Sequence, residues 1–416
     1  MKGNRSIPSV VIAAGARTPV GVKSGTLRNL AAEDLAVLAV EEVIKRSGVN
    51  REEIDTAVGA NVYQFTAPGT QDIYFPRNVG LRCKLRTETP ALMVQRICGS
   101  GLQSVVTGYQ QIVLPAEVED ARTAICFGAE TMSRAPQIRR APRTPANFWE
   151  FAEGGQVEDT MLASLNHDLA HTNMMLTAAE YGSQMGITRK ECDEFADLSH
   201  RRARAAFRHS YLNGGDALKG LFAIDTRDLS GTPIHLARDE CVRKTSLDVL
   251  AKLPGITPNG LVSPGNASEI SDGAAAILLA ERSRAEQLGL PTRFEIIGYG
   301  IAGVDPRVMG RGPVPSISMA LDRAGIEKKD VGLWEINEAF AAQFLGVEKE
   351  LELDREIVNV NGGAIAVGHP LAATGTRLIV DLMYEMERRG VRYGCASACI
   401  GGGQGMAVVI KDTQVS

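Results

Sequence analysis

Three stretches of this 416-residue chain set a reactive side chain among glycines. In Gln95-Arg96-Ile97-Cys98-Gly99-Ser100-Gly101 a thiol follows a strand-like run and precedes a helical one. Unpaired amides at a helix start favour a thiolate and lower its pKa toward neutrality, which would make Cys98 a nucleophile. The same turn equally suits a small buried hydrophobe. In Asn361-Gly362-Gly363-Ala364-Ile365-Ala366-Val367-Gly368-His369-Pro370 a glycine-rich loop delivers a histidine to a sheet edge, where it suits proton transfer or oxyanion stabilisation. The other five histidines (167, 171, 200, 209 and 235) lack such a setting and read as ordinary surface or core residues. In Cys395-Ala396-Ser397-Ala398-Cys399-Ile400-Gly401-Gly402-Gly403-Gln404-Gly405 a strand runs into glycines that free backbone N–H groups, so Cys399 can exchange a proton while Gly401 donates to an oxyanion. Two cysteines and one placed histidine are too few ligands for a zinc site. Asn337-Glu338, at a strand end, can orient a water or a carbonyl, or simply cap the next helix.

These side chains need sheet edges to hold them, and the hydrophobic pattern supplies two sets. In the first set, apolar runs at 10–14, 56–62, 91–97 and 123–128 alternate with helical spacing through Ala31, Leu35, Leu38, Ala39 and Val43 and over 101–113. In the second, runs at 294–299, 333–336, 357–360 and 395–400 alternate with helical stretches at 317–324 and 371–389, with Pro370 expected at the first helical position. Strand–helix–strand order favours parallel sheets with right-handed crossovers. The segment 46–54 also lies on 323–331 without a gap, a repeat that ends a helix and starts a strand in each half. Between the halves, over 132–257, the alternation lapses into an Arg-, Pro- and polar-rich stretch that reads as an inserted lobe over a ligand site. Its clearest helix starts at a capping box of Thr188 and Glu191.

Composition excludes several classes. Lys and Arg number 45 against 49 Asp and Glu, a net charge of −4 with no dominant basic block, so no nucleic-acid or anionic-membrane partner is expected. No apolar run approaches the roughly 18 residues that span a bilayer. Seven scattered cysteines without a secretion signal read as reduced thiols of a cytoplasmic protein.

Taken together the motifs resemble those of the thiolase family, which cleaves or forms 3-ketoacyl-CoA thioesters. Eight segments carry the likeness in the family's order: 16–19, 98–101, 128–133, 265–268, 305–312, 337–340, 362–370 and 399–405. The resemblance implies an α/β fold with a five-layered α/β/α/β/α core of two similar halves plus an inserted loop lobe. Residues 1–131 would form the N-terminal half, 132–257 the coenzyme A-binding lobe, 258–292 a return to the N-terminal half, and 293–416 the C-terminal half. It also implies that Cys98 is acylated, that His369 activates it, and that Cys399 is the acid/base for the acetyl-CoA carbon. Asn337, through a water, and His369 would form one oxyanion hole; the amides of Cys98 and Gly401 would form the other. Ser268, Ala267, Met174, Met309 and Phe340 fall at positions that touch substrate or coenzyme A. No metal or cofactor is implied, coenzyme A being a substrate. Self-association as a homodimer or homotetramer is expected, with a small partner subunit as a further option.

Departures from the family pattern bear on the acyl group. Asn173-Met174-Met175 stands where short-chain enzymes carry His-Met-Gly, and Gln95, Ala372 and Thr374 replace the usual Asn, Gly and Ser. The phenylalanine expected before Gly265-Asn266-Ala267-Ser268 is missing. These changes point to a degradative enzyme for a longer, branched, aromatic or dicarboxylic 3-ketoacyl-CoA, as in fatty-acid β-oxidation, with an acetoacetyl-CoA-forming acetyl-CoA acetyltransferase as the alternative. A ketoacyl synthase is disfavoured by Cys399, and a non-catalytic acyl-CoA carrier by the intact set of catalytic positions. In 133–143, four arginines are either a solvated loop or subunit contact, or offer a partner to a coenzyme A phosphate or a second substrate carboxylate.

Overall fold

The computed structural model describes residues 7–67, 72–114, 117–118, 120–140, 155–167, 170–212, 215–228 and 230–416. The first half runs β1 (Val10–Arg17), α1 (Ala32–Ser47), β2 (Thr56–Ala60), β3 (Ala91–Val94), α2 (Ser100–Val113) and β4 (Thr123–Thr131). The inserted stretch carries α3 (Met174–Gln184) and α4 (Arg189–Phe207), after which β5 (Ser271–Glu281) follows. The second half runs β6 (Phe294–Gly303), α5 (Pro313–Ala324), β7 (Leu333–Ile336), α6 (Ala341–Leu351), α7 (Leu371–Arg389), β8 (Tyr393–Ile400) and β9 (Gln404–Asp412).

The two halves share one strand order. The first sheet reads β3-β2-β4-β5-β1, the second β7-β8-β9-β6, and they join where Val10, Val11 and Ile12 pair antiparallel with Ile296, Glu295 and Phe294. The second half's missing edge strand is reduced to one parallel bridge between Trp334 and Val358, so the strand expected at 357–360 does not form. In its place the Asn359 side chain accepts from Ile336 N at 2.8 Å and donates to Ile336 O at 2.8 Å, satisfying the strand edge with one amide. Among the named strands parallel pairing is limited to β2 with β3 and β4, and β7 with β8; β5, β1, β9 and β6 pair antiparallel, where strand–helix–strand order favours parallel sheets. The sequence pattern also passed over β5, β9 and α3, although Asn173 caps α3 by accepting from Leu176 N.

Strand alternation sorts the core into layers. Val11, Ala276 and Leu278 face α1, whose Leu35, Ala39 and Val43 cover that side of the first sheet. Val10, Ile12, Ile277 and Leu279 turn the other way, onto Leu102 and Val105 of α2 and Leu378 and Leu382 of α7. The second sheet closes over the same two helices with Ala398, Met406 and Val408, and presents Trp334, Ile336 and Val409 to α3, α5 and α6. Helix, sheet, helix pair, sheet and helices make the five layers. Both faces of each sheet are covered, which is why its strands read as near-continuous apolar runs. The matched segments of the repeat fold alike: Gly48 (φ 71°) and Gly325 (φ 67°) each end a helix left-handed, and 3-10 turns at Arg51–Glu53 and Lys328–Asp330 lead into β2 and β7.

Helices α2 and α7 touch through backbone. A Cβ on Gly101 would lie 2.6 Å from Ala372 O and from Thr376 N, so the crossing needs glycine there. This crossing sets the two catalytic-motif helices against each other, and both begin at the same end of the sheets.

Candidate active site

Cys98 lies in a 3-10 turn, Ile97–Gly99, between β3 and α2. Strand β3 stops at Val94, earlier than its apolar pattern suggests, because Ile97 takes φ 43° to swing the thiol inward. Ser100 secures the turn, its Oγ accepting from Arg96 N at 2.8 Å and donating to Ile97 O at 2.7 Å. Arg96 reaches across to the second half, donating to Gln404 Oε1 at 2.6 Å beside the glycine turn. The backbone amides of Gly401 and of Cys98 itself lie near enough to the Cys98 sulfur to favour its thiolate. Cys399 is fully buried at the end of β8, where burial first and then the neighbouring Cys98 push its thiol pKa up.

Burial governs the ionisation. The Cys98 thiol is pushed up to about 11 by desolvation, which outweighs the two amides. The expectation of a near-neutral pKa is therefore not met, because a side chain this buried loses more hydration than two N–H groups return. His369 is held down to about 3, first by burial and then by Arg377. Cys98 and His369 are thus both neutral at pH 7.

Gly368, at φ 107°, turns the loop so that His369 enters the site. Its Nδ1 lies 2.7 Å from Thr374 Oγ1 and its Nε2 lies 3.3 Å from Asn337 Nδ2. Thr374 Oγ1 is also 3.1 Å from Pro370 O, which only accepts, so the hydroxyl donates there and accepts from Nδ1–H. Nε2 keeps its lone pair and receives the Asn337 amide. Asn337 Oδ1 is buried without a partner. Pro370 precedes the first turn of α7 as its cap residue, one position earlier than expected.

Neither Asn337 nor Glu338 caps α6, which begins after Phe340 without a side-chain cap. Glu338 instead accepts from Ser199 Oγ at 2.7 Å, Asn359 Nδ2 at 2.8 Å and Ile365 N at 3.2 Å, anchoring the glycine loop from below. Sequence reasoning also missed Glu130, whose buried carboxyl accepts from Asn61, Val62, Tyr63 and, across the halves, Ala372. Its signal was a carboxylate inside an apolar strand end. Burial pushes it up to about 7.

The residues expected at the substrate side converge. Met309, Ala339 and Cys399 form one buried cluster with Met174 and Phe340 against it, and Met174 Sδ lies over Gly401. Ala267 bridges to Phe340 and Ser268 N donates to Ala339 O at 3.0 Å, which seats that segment on the same wall. On the other side Cys98 packs with Tyr63, Met132, Met161 and Leu371. Of the four arginines, Arg134 is spent on Thr66 O and Asn29 O, Arg139 also has a partner, and the Arg140 side chain and all of Arg143 lie outside what the structure describes. Among the described residues no group of three or more His, Cys, Asp or Glu is arranged to hold a metal. No helix among them is long and apolar enough to cross a membrane.

Two family models match the chain: the thiolase N-terminal domain over residues 10–283 and the thiolase C-terminal domain over residues 290–412. The human mitochondrial 3-ketoacyl-CoA thiolase is 39% identical over 405 residues, 97% of this chain and 98% of that protein. An acetyl-CoA acetyltransferase of Rhizobium meliloti is 38% identical over 409 residues, 98% of this chain and 99% of that protein. The crystal structure of the human enzyme in complex with CoA superposes with a TM-score of 0.89 at 39% identity, covering 98% of each chain. The chain belongs to the thiolase family and is an acyltransferase.

Proposed function

We propose that the protein cleaves 3-ketoacyl-CoA thioesters with coenzyme A through an acyl-Cys98 intermediate, and runs the reverse condensation when acetyl-CoA is in excess. The observation that carries this is the meeting of Cys98, the Gly401 amide and Cys399 at one place, with His369 Nε2 unprotonated and held only by the 3.3 Å contact to the Asn337 amide. Substrate binding displaces water, and His369 takes the Cys98 proton as the sulfur attacks the 3-keto carbon. The C–C bond breaks, its electron pair goes to the acetyl-CoA enolate, and Cys399 supplies the proton to that carbon. Coenzyme A then gives its thiol proton to Cys399 and attacks the acyl thioester; the Cys98 S–acyl bond breaks, the shortened acyl-CoA leaves, and the Cys98 thiolate takes back its proton from His369. Asn337, its Oδ1 unsatisfied, suits a bound water that joins His369 around the enolate oxygen. The amides of Cys98 and Gly401 serve the tetrahedral oxyanion. No cofactor enters the scheme.

The coenzyme A complex of the human relative supports the same ligand here, with Ser268, Ala267, Met174, Met309 and Phe340 along its arm. The apolar wall of Tyr63, Met132, Met161 and Leu371 beside Cys98 favours a longer, branched or aromatic acyl chain over acetyl. Strand β3 is a sheet edge, and exposed Ile73, Tyr74, Leu81 and Leu92 lie on or near it, which favours a homodimer through that edge. The test is coenzyme A-dependent loss of 3-ketoacyl-CoA enolate absorbance across acyl chains, with intact-protein mass for the acyl-enzyme and Cys98→Ala as control. Acetoacetyl-CoA as much the best substrate overturns the chain-length reading; no acyl adduct on Cys98 overturns the mechanism.

A further inference from the structure

A cavity of about 280 Å3 beneath α4 stands apart from the thiols: none of Cys98, Cys399, His369 or Asn337 lines it. Its floor is charged and internally balanced. Arg17, 1% exposed, gives Nη1 and Nη2 to Asp239 at 2.8 and 3.1 Å and Nε to Asp381 at 2.9 Å, and Asp381 also accepts from Arg377 at 3.0 Å. Two groups depart from that balance: Arg377, whose Nε and Nη2 have no partner, and Glu335. Glu335 lines the cavity, is 4% exposed, and its Oε2 has no hydrogen-bond partner. Burial, with Asp381 beside it, raises its pKa well above the usual carboxyl range against the opposing pull of Arg377, which favours the protonated form that can donate.

The mouth is unbalanced. Arg208 and Arg238 are exposed and make no hydrogen bond or ion pair among the described residues, while Arg204 gives one donor to Arg243 O at 2.6 Å. Three guanidiniums around an enclosed space, above an unpaired buried donor, match an oxygen-rich anion, because forked N–H donors pair with carboxylate and phosphate oxygens. The volume is at the small end of ligand pockets, about 300 Å3.

We propose that this cavity binds a small multivalent oxyanion, held by Arg204, Arg208 and Arg238 at its mouth and by the Glu335 carboxyl at its floor. Gly362 and Val367 in its wall belong to the loop that delivers His369, and Glu335 precedes Asn337 by two residues on β7. An occupant braces the catalytic loop from behind.

Inorganic pyrophosphate and citrate, titrated against the full-length protein at constant ionic strength, separate phosphate from carboxylate ligands. A hundredfold excess over Kd should raise Tm by about 3 °C and slow amide exchange over residues 362–368. Arg208→Glu/Arg238→Glu, two exposed changes that leave the core intact, should abolish both effects while coenzyme A thiolysis without the anion stays within twofold. Absence of a saturable shift with either anion, or a shift that survives in the double variant, overturns the proposal. So does displacement of the anion by saturating coenzyme A, which would place it in the coenzyme site.

Discussion

Replacing Thr374 with valine tests whether the tautomer of His369 is set by one hydroxyl. The two side chains are isosteric, so packing in the fully buried start of α7 is retained and only the hydroxyl is lost. The structure gives Thr374 Oγ1 two bonds, 2.7 Å from His369 Nδ1 and 3.1 Å to Pro370 O. Without it, the imidazole either keeps an unpaired Nδ1–H in a site 6% exposed or moves the proton to Nε2 and forfeits the lone pair that takes the Cys98 proton. An unsatisfied buried donor costs about 1–3 kcal/mol, which converts to about a 5- to 150-fold loss in kcat/KM. The assay is enolate-absorbance thiolysis from pH 6 to 9, with Tm as a folding control. Thr374→Ser, which keeps the hydroxyl, should recover to within about threefold. Thr374→Val within twofold of wild type and with an unchanged pH profile would refute the reasoning.

With Cys98 held at about 11 by burial, its thiolate fraction in the free enzyme rises about tenfold per pH unit, so the iodoacetamide alkylation rate should climb steadily from pH 6 to 9; a plateau near pH 7 contradicts it. His369, at about 3, should leave no titration step between pH 5 and 8 in its imidazole NMR shifts. Glu130→Gln puts an NH2 against two of the four donors now facing the carboxyl, and should cost about 2 kcal/mol or more in urea unfolding, read as a lower midpoint at unchanged slope. Gly101→Ala forces a methyl onto Ala372 O and Thr376 N, and should destabilise by about 3 kcal/mol; a Tm within 1 °C of wild type would show that the crossing of α2 and α7 is not backbone-tight.

Much of the fold was legible because local signals and burial agree. The limits of α7, the capping box of α4 and the left-handed glycines that end α1 and α5 follow from side-chain periodicity and from conformations only certain residues adopt. The strand expected at 357–360 failed because only one backbone bridge forms there and the Asn359 side chain takes both bonds of Ile336 in place of a second backbone pair. Strand direction failed because β5 joins β1 and β4 only after a long insertion, and the sense of that return is not written in any local window.

The site divides in the same way. Cys98, His369, Cys399 and Asn337 stand out by residue type next to glycine turns, and their order along the chain sufficed to name the family. What those groups do electrostatically depends on burial and on neighbours brought in from far along the chain. Cys98 ionises at high pH because it is desolvated, His369 presents Nε2 because Thr374 and Asn337 take opposite edges of the ring, and Glu338 holds a loop rather than a helix end. Residue identity fixes which atoms can react; a pKa and a tautomer are sums over three-dimensional surroundings, and only the packed sheets supply those.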